Sequence, residues 1–343
     1  MIPTSDLELG WFIIFVVLLI GYAILDGFDL GVGMLHLFAR NDQERRLMLN
    51  SIGPVWDGNE VWLVTAVGAL FAGFPDIYAT MLSAFYMPVM TLLFGLIFRA
   101  VAIEFRSKQP AMWWRWMWDV VFFLGSVLIA FMLGLGMGNL IRGIPLDIHK
   151  EFVGTATTVF NPYACLVGLL TITLFAMHGS IYILMKTEGD FHERMRQRIN
   201  PCIIAFILLY AVTTMATLIY MPHMIEALRD RPIFFLVAIL NILCIANIPR
   251  EISRGSDGRA FISSCGNIIC LLLLYGIGTY PEVIRAINDP DHLSLTIYNS
   301  ASSVKTLEIL FLIAFIGMPL VLAYTIAIYY IFHGKVKIDP HSY

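Results

Sequence analysis

Long apolar runs, each closed by a short cluster of charged, glycine or proline residues, follow one another from one end of this chain to the other. A run of about 20 such residues crosses about 30 Å of hydrocarbon as a helix, which satisfies its own backbone hydrogen bonds where no water is present. The pattern predicts nine spans: Glu8–Leu35, Ser51–Gly73, Ile77–Phe98, Trp116–Leu140, Pro162–Lys186, Pro201–Pro222, Pro232–Ile248, Ala260–Tyr280 and Leu307–Phe332. Their order predicts an all-α, polytopic integral membrane protein in which residues 1–343 form one membrane domain. Helices one to four (about 8–140) and five to eight (about 162–280) run up and down in the same sequence, as two four-helix bundles with a ninth helix (about 307–332) added. The opening "MIPTSDLELG" has no basic stretch, and no small-residue cleavage site precedes "LDGFDLG", so the first run reads as a retained span.

Composition agrees: 59% of the 343 residues are hydrophobic and 14% charged, where a soluble domain carries roughly 25% charged residues. The basic residues give the orientation. Arg40, Arg45, Arg46, Arg99, Arg106, Lys108, Arg115, Lys186, Arg194, Arg196, Arg198, Arg250, Arg254, Arg259, Lys335 and Lys337, 16 of the 22 Lys and Arg, follow odd-numbered spans. The positive-inside bias therefore sets the amino terminus outside and the carboxyl terminus in the cytoplasm. With the basic residues assigned to topology, the net charge of −3 gives no reason to expect nucleic acid. The five cysteines lie in or beside apolar runs without a CxxC pair, and so suggest packing, with no disulfide or metal site. "MWWRWMW" falls where an interfacial aromatic belt is needed. The two longest outer loops offer a surface for a partner.

Carboxylates inside the apolar pattern are the candidate chemistry. Asp26 and Asp29 in "ILDGFDLG", and Asp57 and Glu60 in "WDGNEVW", are each spaced i, i+3 and so share a helix face. The first pair lies about 27–32 Å along helix one and the second about 9–14 Å into helix two from the opposite direction, so both fall at similar depth. A carboxylate near a helix centre costs about 2.5–3.5 kcal/mol against lipid, so these acids face protein or water. Gly21, Gly27, Gly31 and Gly33 allow the close helix approach this requires, and Arg99 is an available counter-charge. Glu104 and Lys108, i and i+4 if that helix continues, have the spacing of an ion pair. A row of titratable groups leading inward suits a proton path, and equally the coupling site of an ion-driven transporter. Of the eight histidines only His178 is well inside a span, so no facing pair of haem ligands is offered.

The segments "LIGYAILDGFDLGVGML", "RNDQERRLMLNSIGPVWDGNEVWLVTAVGALFAGFPDIYA" and "FRAVAIEFRSK" resemble the signature segments of subunit II of cytochrome bd-type ubiquinol oxidases. The likeness is strongest over residues 11–143 and continues through "GNLIRGIPLD", "NPYACLVGLL", "IYILMKTEGDFHERMR" and "LVLAYTIAIYYIFHGKV", with "WDGNEVW" the most specific element. The resemblance implies a multi-pass protein of the bacterial cytoplasmic membrane that pairs with a homologous subunit I and, in some members, with a very small single-helix subunit. Two b-type haems and haem d belong to subunit I, and none to this chain. The complex oxidises quinol near the outer face and reduces O2 to water with cytoplasmic protons, without pumping. By the same resemblance Asp57 belongs to a proton path with Glu104 and Lys108 at its entrance, and Trp56 and Trp62 face the haem side or an oxygen route. Two other readings of the residues stand beside this one: an ion-coupled transporter, and a partner that only stabilises subunit I.

Overall fold

The computed structural model describes residues 4–337, except the side chains of residues 4, 5 and 227; His341 lies outside the described residues. The chain is mostly helical: α1 (Thr4–Leu35), α2 (Asp42–Ile52), α3 (Trp56–Gly73), α4 (Pro75–Ala84), α5 (Tyr86–Phe105), α6 (Met112–Arg142), α7 (Ala156–Val159), α8 (Pro162–Lys186), α9 (Gly189–Tyr220), α10 (His223–Asp230), α11 (Phe235–Ser253), α12 (Asp257–Thr279), α13 (Pro290–Leu293) and α14 (Val304–Ile331). Among the described residues eight helices are long and apolar enough to cross a membrane: α1, α5, α6, α8, α9, α11, α12 and α14.

The expected second and third spans take a different form. Residues 53–55 separate α2 from α3, so the helix carrying "WDGNEVW" starts at Trp56 instead of Ser51. Pro54 lacks an N–H and interrupts the helical ladder there. The expected Ile77–Phe98 helix divides at Phe85 into α4 and α5. Pro88 accounts for the break, because in a continuous helix its ring would strike the carbonyl of Ala84, four residues back. After it α5 runs on past Phe98 to Phe105, and α9 begins at Gly189, well before Pro201, which lies inside the helix.

Helix α1 is the centre of the packing, touching α3, α6, α8, α12 and α14. It meets α8 backbone to backbone. A Cβ on Gly31 would lie 1.9 Å from the carbonyl oxygen of Phe175, and one on Gly179 2.5 Å from the carbonyl carbon of Gly31. Only glycine permits that approach, and it seals the stretch of α1 that carries Asp26 and Asp29. The two longest loops fold on each other. The Ile144 N–H donates to Arg285 O at 2.9 Å, Ile287 N–H to Ile144 O at 3.1 Å and Asn288 Nδ2 to Leu146 O at 2.7 Å. Strands β1 (Glu282–Ile284) and β2 (Leu295–Thr296) pair antiparallel beside them.

Helix α14 is held mainly at its ends. Of its described residues only Leu307 is buried. At one end Ser302 donates its N–H to Gly73 O at 2.8 Å and its hydroxyl to Ala72 O at 2.6 Å. At the other, Lys186 Nζ donates to Phe332 O at 2.6 Å, while Lys335 Nζ donates to Met185 O at 3.0 Å and Thr187 O at 2.7 Å. Lys186 of α8 thus caps the carboxyl end of α14, and Lys335, four residues past the end of α14, caps that of α8.

Candidate functional site

Asp26 and Asp29 point from α1 into the protein, each 0% exposed. Arg99 crosses from α5 to grip Asp26 with two hydrogen bonds, Nη1 to Oδ2 at 2.9 Å and Nη2 to Oδ1. Two parallel N–H···O bonds are the strong form of carboxylate recognition, and they satisfy the charge where water is excluded. Asp29 takes a different partner. Asn59 of α3 donates Nδ2 to Asp29 Oδ2 at 2.8 Å and to Leu25 O at 3.3 Å, and Tyr329 of α14 bonds Asn59 Oδ1 at 2.9 Å. Four elements, α1, α3, α5 and α14, converge on the two carboxyls.

The second acid pair lies on the outward side of α3. Glu60 is half-buried, in the electrostatic field of Arg99, Asp26 and Asp57, whereas Asp57 is exposed on this chain. Exposure continues along that face through Gly58, Val61, Val64, Thr65, Gly68 and Phe71. Trp56 and Trp62 are buried, and the Trp62 indole lies on Gly21 of α1, where a Cβ would sit 2.1 Å from the ring. Glu104 is half-buried near the end of α5, and Lys108 is exposed in the 3-10 turn that follows. A cavity of about 190 Å³ between α3 and α14 reaches Trp62, Asn59 and Tyr329. The larger cavity, about 630 Å³, opens near the other end of α1, against α10 and α12, away from the acids.

Sequence reading misses a second buried charge cluster. Asp119 of α6, 0% exposed, meets His36 Nε2 at 2.6 Å, Arg45 Nη1 at 2.7 Å and Arg106 Nε. Arg106 extends the cluster to Asp42 at 2.7 Å, and Arg115 closes on the same carboxylate at 2.8 Å. It ties the end of α1, the start of α2, the end of α5 and the start of α6 together. An aspartate directly after "MWWRWMW" and an arginine ending α5 are the only local signals; their partners come from distant elements.

An axial haem ligand needs an imidazole nitrogen with a free lone pair. His178 has none to give. Its Nε2 lies 3.0 Å from Ile24 O, which can only accept, so this nitrogen carries the proton and Nδ1 accepts from the Ser264 hydroxyl at 2.8 Å. His36 Nε2 is committed to Asp119. His178, with both nitrogens engaged, does not fit a haem ligand, whereas His36 Nδ1 has no hydrogen-bond partner among the described residues. Among the described residues no group of three or more His, Cys, Asp or Glu is arranged to hold a metal ion.

Comparison with known proteins identifies the family of the chain. The family described as cytochrome bd terminal oxidase subunit II matches residues 7–332. The chain is 32% identical over 367 residues to cytochrome bd-I ubiquinol oxidase subunit 2 of Escherichia coli (strain K12), covering 98% of this chain and 97% of that one. It is 34% identical over 336 residues to cytochrome bd ubiquinol oxidase subunit 2 of Bacillus subtilis (strain 168), covering 97% and 98%. Its fold is similar to a chain of the bd oxidase from Geobacillus thermodenitrificans, with a TM-score of 0.79 and 18% identity over 95% of this chain and 98% of that chain.

Proposed function

Because the chain belongs to the cytochrome bd terminal oxidase subunit II family, a multi-pass inner-membrane subunit of an oxygen-reducing quinol oxidase, we propose that its buried acids carry protons toward the oxygen-reducing centre. Membership removes the transporter reading. Protons enter from the cytoplasm at Lys108 and Glu104, pass Asp57 and Glu60, and reach Asp29 beside the Asp26–Arg99 pair. Trp56 and Trp62 flank the route and separate it from the apolar side through which oxygen arrives. The observation that carries this reading is Asp57, an exposed carboxylate in the first turn of α3, within one turn of Glu60, which lies half-buried in the field of both Asp57 and the wholly buried Asp26.

The same residue argues for the partner. Asp57 stands in the first turn of α3, and the face that continues from it through Val61, Val64 and Gly68 is exposed on this chain; subunit I covers that face. Gly58 and Gly68 have nothing within 4 Å of an added Cβ, which leaves room for another helix. Helix α3, about 27 Å long at 1.5 Å per residue, then counts as the ninth span, with the amino terminus outside and the carboxyl terminus in the cytoplasm. The two b-type haems and haem d sit on subunit I, in keeping with the engaged nitrogens of His178. Lipid, and in some complexes a single-helix subunit, covers the remaining apolar faces.

Asp57→Asn tests the path. Asparagine keeps the shape and much of the hydrogen bonding but cannot take up and release a proton. The purified complex should retain its haem and lose most of its quinol-driven oxygen consumption. Near-normal turnover at full haem content would remove Asp57 from the mechanism, and loss of haem or of the complex would favour the purely structural role.

A further inference from the structure

The hydrogen bonds around Asn59 have a fixed direction. Its Nδ2 faces Leu25 O at 3.3 Å as well as Asp29 Oδ2 at 2.8 Å. A backbone carbonyl only accepts, so the amide cannot be turned round, and its nitrogen must donate to both. The amide oxygen therefore faces Tyr329 at 2.9 Å, and because that oxygen only accepts, the phenol must donate its single proton to it. Tyr329, Asn59 and Asp29 form a chain polarised in one direction. Asn59 is 2% exposed, and beyond it lies the 190 Å³ cavity between α3 and α14. An amide does not titrate, so no proton passes through Asn59 to that cavity. Asp29 Oδ1, on the other side of the carboxyl, accepts no hydrogen bond from the described protein residues.

We propose that Asn59, held by Tyr329, is a positioning residue of the proton path: it fixes the Asp29 carboxyl so that Oδ1 alone exchanges protons, and insulates Oδ2 from the α3–α14 cavity. The inference rests on the proton-path reading of Asp29. The charged and titratable groups facing Asp29 are Asp26 of α1, Glu60 of α3, Arg99 of α5, Tyr182 of α8 and Tyr329 of α14. Asn59 and Tyr329 act on the proton through the carboxyl they hold.

Tyr329→Phe removes one hydroxyl, and Asn59→Leu removes the donor while keeping a side chain of similar size. Asp29→Asn serves as the reference. Each is assayed in the purified complex for haem content, quinol KM, and oxygen consumption per haem as a function of pH. Asn59→Leu should lower kcat roughly tenfold, the loss expected from one hydrogen bond to a charged group, and Tyr329→Phe should lower it less. Quinol KM should stay unchanged and the pH profile should be displaced in both. Wild-type turnover per haem and an unmoved pH profile in both variants, beside an impaired Asp29→Asn, would overturn the positioning role and leave the path standing. A lower yield of complex with normal turnover in what assembles would also overturn it, as a structural role. Normal turnover in Asp29→Asn would instead withdraw the path through Asp29, and the proposal with it.

Discussion

Arg99 holds both oxygens of Asp26 across the gap between α5 and α1, and the pair is almost wholly shielded, at 1% and 0% exposure. Removing one member of such a pair strands the other charge, at a cost of about 3–5 kcal/mol. Arg99→Leu and Asp26→Leu should each lower the thermal midpoint of the purified complex sharply, and the double variant should recover much of the loss. Additive losses in the double variant would mean that the two side chains are stabilised independently.

Asp119 is expected to matter for assembly more than for turnover. Three cationic or imidazole partners from separate elements close on it, and none of them lines the Asp57–Asp29 route. Asp119→Asn leaves Arg106 and Arg45 short of their counter-charge, which should reduce stability by about 3 kcal/mol. Thermal denaturation and oxygen consumption per haem separate the two effects: the midpoint should fall while turnover per haem stays near wild type. A selective loss of turnover would bring Asp119 into the proton route.

At the entrance, Glu104→Gln and Lys108→Leu should slow oxygen reduction less than Asp57→Asn does. Lys108 is exposed and Glu104 half-buried, so bulk water and neighbouring carboxylates can stand in for either. Steady-state oxygen consumption decides the order, and an entrance variant slower than Asp57→Asn would reverse the direction assigned to the path.

Reporter fusions at residues 150 and 290 should read as external, and fusions at 108, 192 and 256 as cytoplasmic. The warrant is the 16-to-6 distribution of Lys and Arg. A cytoplasmic report from residue 150 would break the nine-span arrangement.

Long apolar runs make the membrane helices legible in the amino-acid sequence, since a span must be both apolar and about 20 residues long. The breaks are less so. Pro54 and Pro88 are visible in sequence, but whether a proline bends, ends or merely sits in a helix depends on what packs beside it; Pro201 lies inside α9. The acids of α1 and α3 stand out because charge is rare in such runs, and Arg99 is within reach of the same reasoning. Asp119 and Tyr329 are not. Their partners lie 83, 74 and 13 residues away for Asp119 and 270 for Tyr329, and no local spacing records contacts of that range. The outward exposure of Asp57 is likewise a property of packing, because the i, i+3 spacing fixes which residues share a face but not what the face meets.

The crossed lysine caps at the ends of α8 and α14 bear on how a second subunit is received. A helix with open flanks ordinarily slides and turns until something lies against it, and fixing it at that moment subtracts from the affinity of the encounter. Here the register of α14 is set by its own chain, through Ser302 at one end and Lys186 and Lys335 at the other. A partner laid along α14 meets a rail already fixed in position, so its ordering entropy is lost when this chain folds and not when the complex assembles. Extensions fused close behind Lys335 would act on that rail from its anchored end.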